Sequence, residues 1–333
     1  MSSMPQSETD AQVVIRAEGL SRSFAVGGGL WRARRMVKAV EAVDLAIRRG
    51  ETFAIVGETG SGKSTLGRLL LRLMEPTAGR VTFTGEAKAD HLAFRRRAQV
   101  VFQDPYSALD PRMTVGQQIR EPLDIHGIGP VTGRAQQVAE LLEQVGLSPA
   151  QAMAYPAELS GGQRQRVSIA LALASNPEII VADEPTSALD LSVQAQVLNL
   201  LSDLQRDRGL TLILITHDLG VVRHFCDRVA VMYLGRIVEQ AATAELFAAP
   251  AHPYTQTLFA AIPDPDPARQ GAWTLPKGDP PSPLSPPAGC AFHPRCPMAF
   301  GRCRTEAPPL QRISEGRVVA CHLHEPQTQG EQP

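Results

Sequence analysis

The chain has 333 residues, with 33 Lys and Arg set against 34 Asp and Glu for a formal net charge of -1. That balance gives no support to bulk nucleic-acid binding, which calls for a basic stripe or patch, while an apolar fraction of 43% is ordinary for a globular core. No segment approaches the roughly 18 consecutive apolar residues of a membrane span, and Met1–Asp10 is polar rather than basic-then-apolar, unlike a signal peptide. The expectation is a cytosolic protein whose link to a membrane, if it has one, runs through a partner.

In chain order, a polar tail over 1–10 is followed by strand candidates at Val13–Ala17, Ala42–Ile47 and Thr52–Val56, bounded by Gly and charged residues. Ser64–Met74 reads as a helix closed by Pro76. From about Pro105 to Val167 the pattern is helical and polar, broken at Gly146, Pro149 and Pro156. Ile179–Ala182, Leu212–Thr216 and Val229–Tyr233 are short apolar runs, as in the buried strands of a parallel sheet, with a helix predicted over Ser192–Gln205. Strands alternating with helices predict an α/β fold. Residues 11–262 form the main body, and 263–289 form a Pro-rich extended connector. A Cys-bearing region follows over 290–325, and 326–333 make a terminal tail.

Gly57-Glu58-Thr59-Gly60-Ser61-Gly62-Lys63-Ser64-Thr65 matches the Walker A pattern, with the strand Phe53–Val56 leading in and a helix leading out. Glycines let backbone N–H groups curl around phosphates, and the helix N-terminus adds partial positive charge there. Lys63 is predicted to reach the β- and γ-phosphates of ATP, and Ser64 to ligate Mg²⁺. Ile179–Ala182 followed by Asp183 and Glu184 is the Walker B partner. Its buried strand delivers Asp183 toward Mg²⁺, largely through the ion's water shell, and Glu184 as the general base that polarises the attacking water.

One further motif narrows the class. Leu159-Ser160-Gly161-Gly162-Gln163, just before a predicted helix, resembles the signature loop of the ABC (ATP-binding cassette) family. The resemblance covers about residues 11–250. It implies an ABC-type P-loop ATPase with a RecA-like core, an antiparallel β subdomain and a helical subdomain at about 105–167. It also implies that Ser160, Gly161, Gly162 and Gln163 complete the ATP site of an opposite subunit, so that hydrolysis needs a dimer. Gln103 looks like the Q-loop glutamine, sensing Mg²⁺ and the γ-phosphate. Ser187-Ala-Leu-Asp190 looks like the interface-crossing D-loop, and His217 looks like the histidine that holds the γ-phosphate and the attacking water. Phe24 is the adenine-stacking candidate, with Trp31 a rival in the insertion Gly27–Arg35, whose basic run Arg32–Arg35 reads as a solvated loop.

Beyond the cassette, Ala251-His-Pro-Tyr254 resembles the His-Pro-Tyr segment of the oligopeptide/dipeptide importer ATPases, as do Pro281-Ser-Pro-Leu284 and Gly289-Cys290-Ala-Phe-His-Pro-Arg-Cys296. Val37–Val40, Gly161–Arg166 and Val193–Asn199 look like the second of that group's two paralogous ATPases. The resemblance implies a heterodimer with the paralogous ATPase, two membrane-spanning permease subunits and an extracellular substrate-binding protein. It places the chain peripherally on the cytoplasmic face of the cell (inner) membrane. Nickel, glutathione or oligosaccharide import are alternative cargoes of the same motor. A soluble ABC ATPase acting on nucleic acid or ribosomes is a different class of reading. It is opposed by the single cassette and the absence of a basic face.

Cys290-x5-Cys296-x6-Cys303-x17-Cys321 supplies four thiolates, a full set for tetrahedral Zn²⁺ or a [4Fe–4S] cluster. The resemblance favours [4Fe–4S]. Zn²⁺, with His293, His322 or His324 as substitute ligands, and metal-free packing both stay open. Cys226 reads as a buried apolar residue.

Overall fold

The computed structural model describes residues 12–27, 35–85, 91–260, 279 and 281–325. The two terminal tails, Trp31 with Arg32–Arg34, and most of the Pro-rich connector lie outside the described residues. In chain order the main elements begin with β1 (Val13–Val26), β2 (Arg35–Arg48), β3 (Thr52–Val56), α1 (Lys63–Leu70), β4 (Ala78–Phe83), α2 (His91–Arg97) and β5 (Ala98–Val101). Next come α3 (Pro105–Ala108), α4 (Val115–Ile125), α5 (Arg134–Gln144), α6 (Gly161–Ala174), β6 (Ile179–Asp183), α7 (Leu191–Arg208) and β7 (Thr211–Thr216). The chain continues through α8 (Leu219–Phe225), β8 (Arg228–Tyr233), β9 (Arg236–Ala242), α9 (Thr243–Ala248) and α10 (Pro253–Ala260). It closes with α11 (Gly301–Thr305), β10 (Gln311–Ser314) and β11 (Arg317–Val319).

These elements fall in two compact units. The first takes in residues up to Val14, Ile47–Thr52 and Phe83–Ile215. Its strands β5, β6 and β7 pair in parallel, in register from Ala98↔Ile179 and from Ile179↔Thr211. Every residue of β6 and β7 is buried, which is why these strands read as unbroken apolar runs rather than alternating ones. Each fully buried Ile, Leu or Val there contributes on the order of 1.5–3 kcal/mol. The helical part of this unit is built from capped helices. Thr114 caps α4 in a reciprocal box with Gln117, which satisfies N–H groups that a helix start leaves orphaned. Gly162 has no side chain because α7 passes close by: a Cβ there would lie 2.4 Å from Val193 Cγ1.

The second unit takes in Ile15–Ala46, Phe53–Thr82 and everything from Thr216 onward. It holds the small sheet β2-β1-β4. It also holds β3 paired in parallel with β8, β8 antiparallel to β9, β9 antiparallel to β11, and β11 antiparallel to β10. β3 is fully buried. β1 and β2, 14 residues each, run well past the strands expected at Val13–Ala17 and Ala42–Ile47. Their outer halves are only partly buried, so they carry no apolar run to announce them. The helix expected over Ser64–Met74 begins at Lys63 and stops at Leu70, and Arg72 follows with φ 50. The Cys-bearing segment joins this unit through β11, whose Val318 and Val319 pair with Gln240 and Glu239. Among the described residues, no helix is long and apolar enough to cross a membrane.

Candidate functional site

In the second unit, buried β3 runs straight into the glycine-rich loop and α1. Gly57 has φ 154 and Gly62 has φ 105. A Cβ on Gly57 would meet Met232 O at 2.1 Å, and one on Gly62 would meet Ala39 O at 2.0 Å. The backbone therefore curls where only glycine fits. Lys63 is buried, and its Nζ donates to Gly57 O at 2.8 Å and to Glu58 O at 3.0 Å, so the ammonium lies inside the curve of the loop. Ser61 Oγ is buried with no hydrogen-bond partner among the described residues. A curled backbone at a helix start, an ammonium and an orphaned hydroxyl are the donor set that phosphate oxygens need. The loop's residues fit a nucleotide phosphate chain on these grounds.

The loop is also gripped from the C-terminal side of the chain. Glu58 N donates to Tyr254 Oη at 2.9 Å. The Glu58 carboxylate takes both terminal nitrogens of Arg295, at 3.0 and 3.1 Å. His217, which follows the last residue of β7, is exposed and lies in this unit. Phe24 is half-buried, with the Arg22 guanidinium 5.0 Å from its ring centre, so its face is shared with a cation.

In the first unit, buried Asp183 ends β6, and Glu184 follows with φ 45. That is left-handed backbone, costing a non-glycine residue about 1–3 kcal/mol. The turn is pinned by Glu184 N donating to Ile215 O at 2.8 Å. Gln103 is exposed, and its Nε2 donates to Glu184 Oε2 at 3.0 Å, so the structure brings these two site residues together. Ser160 is the N-cap of α6. Its Oγ accepts from Gln163 N, while Gln163 Oε1 accepts from Ser160 N, a reciprocal box that sets the start of this helix. Asp190 caps α7. The Ser192 hydroxyl, and then the Val193 and Ser192 amides, hold its carboxyl below the usual carboxylate range.

Cys290, Cys296, Cys303 and Cys321 line one cavity of about 10 Å³, together with His252, His293 and His322, and all are free thiols. The expected metal geometry is not formed. Among the described residues no group of three or more His, Cys, Asp or Glu side chains is arranged to hold a metal ion. Burial pushes Cys290 and Cys296 up, and Cys321 up to about 11, so without a metal they stand as neutral thiols, which a bound metal would deprotonate. In number and softness the donors fit a thiolate-held metal. They line one small cavity together, but are not arranged as a coordination set. His252, which burial pushes down to about 4, is neutral, and its Nδ1 accepts from Tyr254 N. Cys226 is buried as expected, with its thiol pushed up by burial.

Sequence reasoning quoted the segments holding Tyr254 and Arg295 but assigned neither residue to the phosphate loop. No local signal reveals a contact made across 196 or 237 residues of chain.

Residues 40–187 match the ABC transporter family. An ATP-binding cassette, MJ0796, solved as a dimer in a post-hydrolysis state bound to ADP and Pi, is 32% identical, with a TM-score of 0.61 over 69% of this chain and 98% of that one. Fold and site thus define an ABC-type ATPase. Residues 238–303 match the oligopeptide/dipeptide transporter C-terminal region. The chain is 52% identical over 322 residues to the probable peptide ABC transporter ATP-binding protein y4tS of Sinorhizobium fredii, covering 95% of this chain and 91% of that one. It is 44% identical over 324 residues to the oligopeptide transport ATP-binding protein AppF of Bacillus subtilis, covering 94% and 98%. The chain belongs to the ABC transporter ATP-binding proteins, in their oligopeptide/dipeptide branch.

Proposed function

We propose that this chain hydrolyses ATP to drive import of di- or oligopeptides, as one half of a nucleotide-binding dimer beneath two membrane-spanning permease subunits. An extracellular binding protein delivers the peptide. The observation that carries this reading is the intact phosphate loop, Gly57–Thr65 with Lys63 inside its curve, in a chain whose 238–303 segment matches the peptide-transporter C-terminal region. Loop backbone, Ser61 and Lys63 hold the phosphates, and Ser64, Asp183 and Gln103 serve Mg²⁺. Glu184 polarises water, with His217 at the γ-phosphate. Phe24 stacks on the adenine. Ser160–Gln163 and Asp190 face the nucleotide held by the partner, here the paralogous ATPase. ATP moves the assembly by binding the closed dimer more tightly than the open one.

The test is uptake of a labelled dipeptide by intact cells lacking this chain. Uptake is expected to collapse, to return with the wild-type gene, and to stay at background with His217→Ala. Unchanged uptake in the deletion strain assigns the motor to another cargo: nickel, glutathione or an oligosaccharide.

The four cysteines are read as a metal site that forms on loading, an iron–sulfur cluster by family resemblance, with a single Zn²⁺ as the alternative. The convergence of four unpaired thiols on one cavity supports this. Loaded metal would cross-link the segment and act as a structural clamp. Cys296→Ser is expected to lower both metal content, measured by elemental analysis after anaerobic purification, and the melting temperature. Equal values in the two proteins would rule the site out.

A further inference from the structure

The contact between the Cys-bearing segment and the phosphate loop goes beyond what a nucleotide-binding loop needs. Glu58 is the second residue of that loop, and its carbonyl accepts from Lys63 at 3.0 Å, so its carboxylate is carried by a residue in contact with the ammonium that the loop reading gives to the phosphates. An uncompensated carboxylate there repels ATP. Arg295 meets it with both terminal nitrogens, at 3.0 and 3.1 Å. The pair is largely withdrawn from water, with side-chain exposures of 7% for Arg295 and 27% for Glu58. A bidentate guanidinium–carboxylate pair fixes orientation as well as charge.

The grip has a rigid base. Arg295 Nη1 also reaches Tyr233 Oη at 3.5 Å. Tyr233, Tyr254 and Phe292 form an aromatic cluster with ring centres 4.5 to 5.4 Å apart, and each of the three rings is almost fully buried. Arg295 N donates to Phe292 O, so the residue that carries the guanidinium is tied to the cluster by its backbone as well. Tyr254 then takes the Glu58 amide hydrogen at 2.9 Å. That N–H is thus spent on Tyr254, and the Glu58 carbonyl accepts from Lys63 at 3.0 Å. One residue of the loop is held at its amide, its carbonyl and its carboxylate.

We propose that Arg295 is a positioning residue for ATP: it neutralises and pins Glu58, so that the nucleotide affinity of the loop depends on the Cys-bearing C-terminal segment. This rests on the reading that residues 57–65 hold the phosphates.

The experiment titrates the purified full-length chain with the fluorescent nucleotide MANT-ATP and Mg²⁺, with a melting curve for each variant. Arg295→Met is expected to weaken binding by about tenfold, the scale of one buried charged partner lost. That loss should shrink at high salt, because the surviving carboxylate is partly exposed to screening. The double variant Arg295→Met with Glu58→Gln removes the stranded charge, and its affinity is expected to return to within about threefold of wild type. Lys63→Ala serves as the control and is expected to lose binding outright. If Lys63→Ala binds like wild type, the phosphate-loop reading fails and this inference fails with it. If Lys63→Ala loses binding while Arg295→Met binds like wild type, only the inference falls. It also falls if the double variant stays as weak as Arg295→Met alone, since that result marks Arg295 as support for the fold rather than for the charge balance of the loop.

Discussion

Glu184→Gln is expected to cut steady-state ATP hydrolysis by about 10²–10⁴-fold, the usual worth of a general base, while leaving ATP binding intact. The geometry isolates the chemical role from the structural one. The turn that presents Glu184 is held by its backbone, through the amide bond to Ile215 O, so the substitution does not release it. One side-chain partner is Gln103 Nε2, a donor, and a glutamine amide still offers it an oxygen. What is lost is a carboxylate able to take a proton from water. A variant that binds but does not hydrolyse should accumulate in the ATP-bound closed dimer. Phosphate release in the assembled transporter and dimer retention on gel filtration with ATP and Mg²⁺ are the measurements. Turnover within tenfold of wild type would remove Glu184 as the base.

Gly62→Ala is expected to be, with Gly57→Ala, one of the two most damaging methyl additions in the loop. Its Cβ would fall 2.0 Å from Ala39 O and 2.9 Å from Met232 Cε, at φ 105. The first obstacle is backbone and cannot rotate aside. Relief requires movement of β2 or of the start of α1, and a loss of several kcal/mol follows from strain and misplaced packing together. Gly60→Ala is the matched comparison. It has φ 80 but nothing within 4 Å of the new atom, so it carries only the left-handed penalty, about 1–2 kcal/mol. Scanning fluorimetry should rank Gly62→Ala far below Gly60→Ala in melting temperature, and MANT-ATP binding should vanish in the former. Equal melting of the two variants would show that the tight packing around Gly62 is relaxed in solution.

Much of this was legible in the residues. β3, β6, β7 and β8 were found within a residue or two of their bounds, because a strand buried on both faces must be apolar throughout. The glycine-rich turn between β3 and α1, and the place of Asp183 and Glu184 at the end of β6, were legible because the motif pattern ties those residue types to a strand end. The outer halves of β1 and β2 were missed, since partial burial leaves no run or clean alternation. β9, β10 and β11 were missed for another reason. Glu239 and Gln240 are buried polar residues in β9, and a buried carboxylate reads as a surface residue until its partners are known. Those partners are Ala251 N, His252 N and Arg317 Nη2, at 2.8–2.9 Å. Arg317 lies 78 residues away in the chain. The iron–sulfur cluster expected at the four cysteines rested on family resemblance and on the number of thiols. How those thiols are placed around the cavity they share with Phe292 is a matter of packing, which composition does not specify.

The pairing of β11 on β9 also bears on how such chains can be cut and joined. A protein shortened after α10 would leave the β9 ladder open along one side and strand Glu239 in the interior with its arginine gone. An open ladder is a template for other chains, and a buried carboxylate stripped of its cation is among the costlier defects a fold can carry. Chimeras that exchange C-terminal segments between related ATPases should therefore join before β9, so that Glu239 and Arg317 cross together, and should keep a glutamate at position 58 to meet Arg295. Inheritance of this tail by recombination would have faced the same boundary.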